Sequence, residues 1–138
     1  MSRARILCFG ELLLRLGAPG HELLLQQPRL EVHCGGAEAN VGVSLAHFGH
    51  DVAMVSTVAD NPLGAAVLGE LRRHAVDTRH VRRVDGRVGL YFLTTGAIHR
   101  ASEVVYDRAD SAFALAPADA YDWPRLLDGA QWLHLSGV

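Results

Sequence analysis

The chain contains no lysine; all 13 of its basic residues are arginine. A Walker-type phosphate loop and Schiff-base catalysis both require a lysine, so neither chemistry can be housed here. Cysteine is scarce as well. Cys8 and Cys34 are too few and too differently placed for a disulfide framework and read as free thiols. No run of about 18 apolar residues occurs, and the N-terminus leads into a short strand pattern rather than a signal-peptide core, so the expected address is the cytoplasm. Fifteen acidic residues offset the arginines to a formal net charge of -2, spread along the chain. That leaves no electrostatic footprint for nucleic acid or an anionic membrane. Of the eight histidines, His47-x-x-His50 lacks the glutamate of a His-Glu-x-x-His site and suits a helix-end dipole, so no metal ligands are expected. Dinucleotide binding is disfavoured because no Gly-x-Gly-x-x-Gly follows the strand.

What is present is a chain of 138 residues, 49% hydrophobic, enough for one globular domain with a real core. Arg5 to Phe9 is a strand-like run followed by Gly10-Glu11, and Leu12 to Leu16 is a second run. Leu23 to Val32, interrupted by Pro28, reads as extended edge structure. Asp51 to Val58 reads as a buried strand after a helix, which is the grammar of an α/β fold. Asp60-Asn61-Pro62 marks a helix start with the aspartate as cap, the helix running to about His74. Val76 to Val84 is polar and rich in arginine. Val88 to Thr95 and Ala101 to Arg108 are linked closely enough to form an antiparallel hairpin. A helical stretch near Tyr121 to Leu127 precedes a buried strand, Ala130 to Leu135. A parallel sheet ordinarily continues from such a strand, so a longer protein is expected.

The stretch that points to a function is Cys34-Gly35-Gly36-Ala37-Glu38-Ala39-Asn40. Two glycines at a helix entrance mark either a plain turn or a place where a ligand approaches the backbone. The helix that follows has Ala39, Val43 and Ala46 on one face, with Val41, Leu45 and Phe48 beside them, and Gly49 at a left-handed C-cap. Asn40, in its first turn, is either a ligand contact or a local cap. Cys34 is either an incidental thiol or one activated by the helix N-terminus. In the second hairpin strand the period of two puts Val104, Tyr106 and Arg108 on one face. That face is either a wall for a small ligand whose carboxylate Arg108 clamps, or a solvated sheet surface.

Gly35-Gly36-Ala37-Glu38-Ala39-Asn40-Val41 followed by Leu45-Ala46-His47-Phe48-Gly49 resembles the N-terminal signature of the ribokinase-like (PfkB) carbohydrate kinases. The similarity continues collinearly through Gly10-Glu11, Asp60-x-x-x-Gly64, Gly89-Leu90-Tyr91-Phe92, Tyr106-x-Arg108-x-x-Ser111-Ala112 and Leu133-His134-Leu135-Ser136-Gly137. Within the family this version is most similar to the kinases of 2-keto-3-deoxygluconate. The resemblance implies a partial three-layer α/β/α domain over residues 1–138, with a small β-sheet lid from strands at about 11–33 and 86–108. It implies a substrate site made of Gly35, Gly36, Asn40, Tyr91, Tyr106 and Arg108, binding a small-molecule sugar acid. ATP and magnesium are implied as cofactors, held mainly by a C-terminal half that is absent here. No Gly-Ala-Gly-Asp segment occurs, so no catalytic residue is assigned within this chain. Gly42 stands where the family usually has alanine, and Ala59 where it often has glycine.

Two other readings compete. One is a kinase of a neutral sugar, of the fructokinase or ribokinase type, in which a buried arginine at 108 would find no carboxylate. The other is a noncatalytic binding or assembly module that pairs through lid strands, as exposed edges do, into a homodimer or larger assembly.

Overall fold

The structure is a computed structural model, and it describes residues 4–137. Its first sheet is wholly parallel and takes the order β5-β4-β1-β8, from β1 (Arg5–Phe9), β4 (Asp51–Ala59), β5 (Asp77–Val84) and β8 (Trp132–His134). Alternation along the central strands divides the apolar side chains between two faces. Ile6, Cys8, Val52 and Met54 pack with Val67, Leu68 and Leu71 of α2 (Pro62–Arg73) and Ala39 of α1 (Ala37–His47). Leu7, Ala53 and Val55 point the other way, onto Tyr121, Trp123 and Leu126. The latter two belong to the short α3 (Trp123–Leu127). Helices on both faces of a parallel sheet make a partial three-layer α/β/α domain.

The second sheet takes the order β3-β2-β6-β7, from β2 (Leu13–Gly17), β3 (Glu31–Gly35), β6 (Gly89–Thr94) and β7 (Glu103–Asp107). Its outer pairs are antiparallel and its central pair, β2 with β6, is parallel. One face carries Leu14, Leu16, Cys34 and Leu90 onto the main core. The opposite face carries Leu13, Tyr91, Val104 and Tyr106 towards a cleft.

Several expectations are corrected. Residues 24–28 form turns and bends, and the strand is confined to Glu31–Gly35, because Leu23 and Leu25 are exposed and bury nothing that would hold an extended run. The N-cap of α2 is Asn61, whose Oδ1 accepts from the Gly64 amide at 3.0 Å, while Asp60 pairs with Arg83 at 2.7 Å. The arginine-rich stretch is strand β5, a sheet edge with a polar outer side. Phe48 and Val41 lie exposed rather than beside the buried face of α1. In β8, Trp132 is 66% exposed, so that strand is not buried.

Gly42 lies in the buried face of α1, where a Cβ would sit 3.4 Å from both Cys8 Sγ and Val52 Cγ1, at ordinary contact distance. Alanine there removes the backbone entropy penalty of a helical glycine without a clash. Gly42→Ala is therefore expected to raise stability by about 0.5–1 kcal/mol, read as a higher urea midpoint at unchanged slope.

Candidate functional site

The carboxylate of Glu11 lies just past the C-terminal end of β1 and is 6% exposed. A buried charge must be paired and hydrogen-bonded to be tolerated. Arg108 supplies the pair, its Nε donating to Oε2 at 2.8 Å and its Nη2 meeting the same oxygen at 2.6 Å. Ser111 Oγ donates to the other oxygen, Oε1, at 2.6 Å. The surroundings leave no room for larger residues. A Cβ on Gly89 would lie 2.5 Å from Oε1, and a Cβ on Gly36 would lie 2.5 Å from the Glu11 carbonyl oxygen. Gly36 also has φ 134, a conformation that L side chains rarely adopt.

Above this ion pair is a cleft of about 190 Å³. The structure brings Gly36, Asn40, Tyr91, Tyr106 and Arg108 into its lining, together with Glu11 and Glu38. Gly36 caps α1, so the helix N-terminus opens onto the cleft, and Asn40 follows one turn later with its side chain exposed. Tyr91 and Tyr106 are opposed across β6 and β7 with ring centroids 6.0 Å apart. The Arg108 guanidinium lies 6.0 Å from the Tyr106 ring centroid. Gly35 is not part of the lining; its missing side chain makes room for Tyr91, whose hydroxyl would stand 2.8 Å from a Cβ.

Arg108 is not a free cation awaiting a ligand. Two of its five N–H donors are held by Glu11, which fixes the plane of the guanidinium and compensates its charge. Its side chain is 31% exposed and forms part of the cleft lining. Sequence reasoning missed Glu11 as a site residue, although Gly10-Glu11 directly follows an apolar strand. It also missed Glu38, 5% exposed, whose Oε1 accepts from the backbone amide of Ser136 at 3.1 Å and from the Ser136 hydroxyl. Both carboxylates of the cleft are thus engaged.

Cys34 is not activated by the helix N-terminus. It sits in β3 on the far side of the second sheet, where burial, and secondarily the Glu70 carboxylate, pushes its thiol pKa up. Cys8 is pushed up to about 11 by burial and by Glu38. Among the described residues no group of three or more His, Cys, Asp or Glu side chains could hold a metal ion. No helix among them is long and apolar enough to cross a membrane.

The profile of the pfkB family of carbohydrate kinases matches residues 3–138. The chain belongs to that family. Among similar proteins, a 2-dehydro-3-deoxygalactonokinase from Haloferax volcanii is 38% identical over 137 residues, which is 98% of this chain and 42% of that protein. The crystal structure of a 2-dehydro-3-deoxygluconokinase from Thermotoga maritima superimposes with a TM-score of 0.92 at 45% identity, covering 96% of this chain and 40% of that one. A sugar kinase from Pyrococcus horikoshii, solved in complex with ATP, superimposes with a TM-score of 0.78 at 26% identity, covering 88% and 39%. The chain therefore spans about two fifths of the length of these kinases.

Two outcomes follow from this geometry. Glu11→Ala is expected to cost about 2–3 kcal/mol in urea denaturation, below the ~3–5 kcal/mol of a fully buried pair because Arg108 keeps access to water; a loss under about 0.5 kcal/mol would remove Glu11 from this role. Alkylation of Cys34 by iodoacetamide, followed by mass spectrometry, is expected to rise with pH through a midpoint above that of a free thiol, since only the thiolate reacts.

Proposed function

We propose that this chain is the sugar-binding part of an ATP-dependent kinase that phosphorylates a hydroxyl of 2-keto-3-deoxygluconate or a similar sugar acid. The observation that carries the reading is the convergence of Gly36, Asn40, Tyr91, Tyr106 and Arg108 on one cleft. A helix N-terminus and a side-chain amide supply polar contacts for hydroxyls, and two tyrosines supply apolar faces with polar tips. Arg108, oriented by Glu11, presents its remaining N–H groups to a carboxylate. The Haloferax and Thermotoga relatives carry the names of kinases for two such sugar acids. In this reading the second sheet is a lid over the sugar, Gly35 acts by seating Tyr91, and the protein works in the cytoplasm.

Phosphoryl transfer requires charge stabilisation around the γ-phosphate and a residue that takes the hydroxyl proton. Glu11 and Glu38 already accept hydrogen bonds within the cleft and do not serve as that base. We assign the base, the ATP contacts and magnesium to the part of the relatives' length that this chain does not span.

A kinase of a neutral sugar is the second reading, favoured by the fact that Glu11 already compensates the Arg108 charge. Calorimetric titration of the 138-residue chain separates the two. Under the first reading 2-keto-3-deoxygluconate binds and fructose does not, and Arg108→Met weakens the sugar acid by about 1.5–3 kcal/mol, tenfold or more. Binding of fructose that survives Arg108→Met supports the second. No ATP-dependent phosphorylation is expected from this chain alone; measurable turnover of 2-keto-3-deoxygluconate would overturn the division of labour.

Assembly through the second sheet is supported by β7, where Val104, Val105 and Tyr106 are 41%, 50% and 60% exposed along an open edge. Mass measured by light scattering is expected to rise with concentration and to fall back to the monomer when Val105 is replaced by Lys, a charge that blunts an edge strand.

A further inference from the structure

A second concave surface lies on the α3 side of the first sheet, along its β5 edge. It is a groove of about 520 Å³ between the start of β1, the β5 edge and α3, and its lining includes Arg5, Arg79, His80, Arg82, Tyr121 and Arg125. Outside the groove Arg73, Arg83, Arg87 and Arg108 are met by the carboxylates of Glu70, Asp60, Asp107 and Glu11, while the other described arginines there, Arg15, Arg29, Arg72 and Arg100, stand apart from one another on separate elements. In the groove only Arg79 is so matched, by Asp77 at 2.7 Å. Arg5, Arg82 and Arg125 form no ion pair among the described residues.

Neutral groups hold two of these arginines in place. Arg5 Nη2 lies 3.2 Å from His80 Nε2, and because a guanidinium only donates, that ring nitrogen must be an unprotonated acceptor. Arg82 Nη1 donates to Thr57 Oγ1 at 3.4 Å, and the guanidinium lies 5.9 Å from the Tyr121 ring centroid. Such contacts order a guanidinium without cancelling its charge. The one carboxylate in the lining, Asp122, caps α3 by accepting from the Arg125 amide at 3.3 Å. Four guanidiniums thus face three carboxylates, those of Asp77, Asp122 and Asp51, the last being the register partner of Arg5 on β4 and acting on Arg79, in a molecule whose overall formal charge is negative.

We propose that this groove binds a phosphorylated small molecule. Arginine forks match phosphate oxygens in paired hydrogen bonds, and ordered, half-buried forks lose little entropy on doing so. The volume lies in the usual range of small-molecule sites, about 300–1,000 Å³. The linings of the groove and the sugar cleft share no residue, the groove being built from the start of β1, the β5 edge and α3 and the cleft from Glu11, the start of α1 and the second sheet, so the two are distinct. It flanks β5, the edge remote from β8. The site does not depend on the sugar-acid reading.

The test is titration calorimetry of the 138-residue chain at low salt with inorganic phosphate, pyrophosphate and glucose 6-phosphate as probes. Saturable one-to-one binding of at least one probe is expected, weakened about tenfold or more by the double substitution Arg5→Gln with Arg82→Gln. The control Arg15→Gln with Arg29→Gln, which removes the same two charges outside the groove, is expected to change binding less than about twofold. Arg82→Lys keeps the charge and loses the fork; it serves if the double variant fails to fold, and is expected to weaken pyrophosphate about threefold or more. Added 2-keto-3-deoxygluconate should leave the affinity unchanged. Absence of saturable heat from all three probes, equal binding by the folded groove variants, or competition by the sugar acid would each overturn the proposal.

Discussion

Everything that places the candidate cleft depends on one buried carboxylate. Glu11 follows the central strand β1, and its desolvation would be prohibitive without Arg108 and Ser111. Those two residues come from the segment directly after β7, roughly a hundred positions along the chain (|i−j| of 97 and 100). The ion pair therefore locks the last strand of the second sheet to the first strand of the first sheet. Replacing it by well-packed apolar residues could yield an equally stable fold, but the guanidinium would then lose its fixed orientation at the mouth of the cleft.

The parallel sheet explains why a cleft forms there at all. Strand C-terminal ends of an open α/β sheet are where connections splay apart and ligands bind. Here β1 leads into Gly10-Glu11, Gly36 caps the start of α1, and the chain after β8 reaches Ser136, whose amide donates to Glu38. The second sheet leans one face on the core through Leu14, Leu16 and Leu90 and turns the other, with its paired tyrosines, towards those ends. Membership of the pfkB family agrees with this architecture.

Periodic features were legible in the sequence. The apolar run of β1, the helices at α1 and α2 and the antiparallel pairing of β6 with β7 all announce themselves through spacing and turn residues within a short window. The alternation that puts Tyr106 and Arg108 on one face is likewise local. Glu11 was not legible as a pivot, because a single acid after a strand has no periodicity and its partners are far along the chain. Residues 23–30 misled for the converse reason: leucines suggest a strand, yet no neighbour buries Leu23 or Leu25. The groove beside α3 is assembled from arginines on β1, β5 and α3 that look like ordinary surface charge until the fold gathers them.

The backbone crosses between the two sheets four times, at residues 10–12, 35–36, 85–88 and 108–111. Every crossing lies at or beside Glu11, whose backbone meets Gly36 and whose carboxylate meets Gly89, Arg108 and Ser111. A joint of this kind has a single fulcrum. If the second sheet tips as a rigid body, Arg108 rides close to the axis and barely moves, while Tyr106 and Val104, farther out along the strand, sweep the larger arc. A ligand would then meet a stationary charge and a travelling aromatic wall, so that charge is read on entry and shape only as the wall comes down.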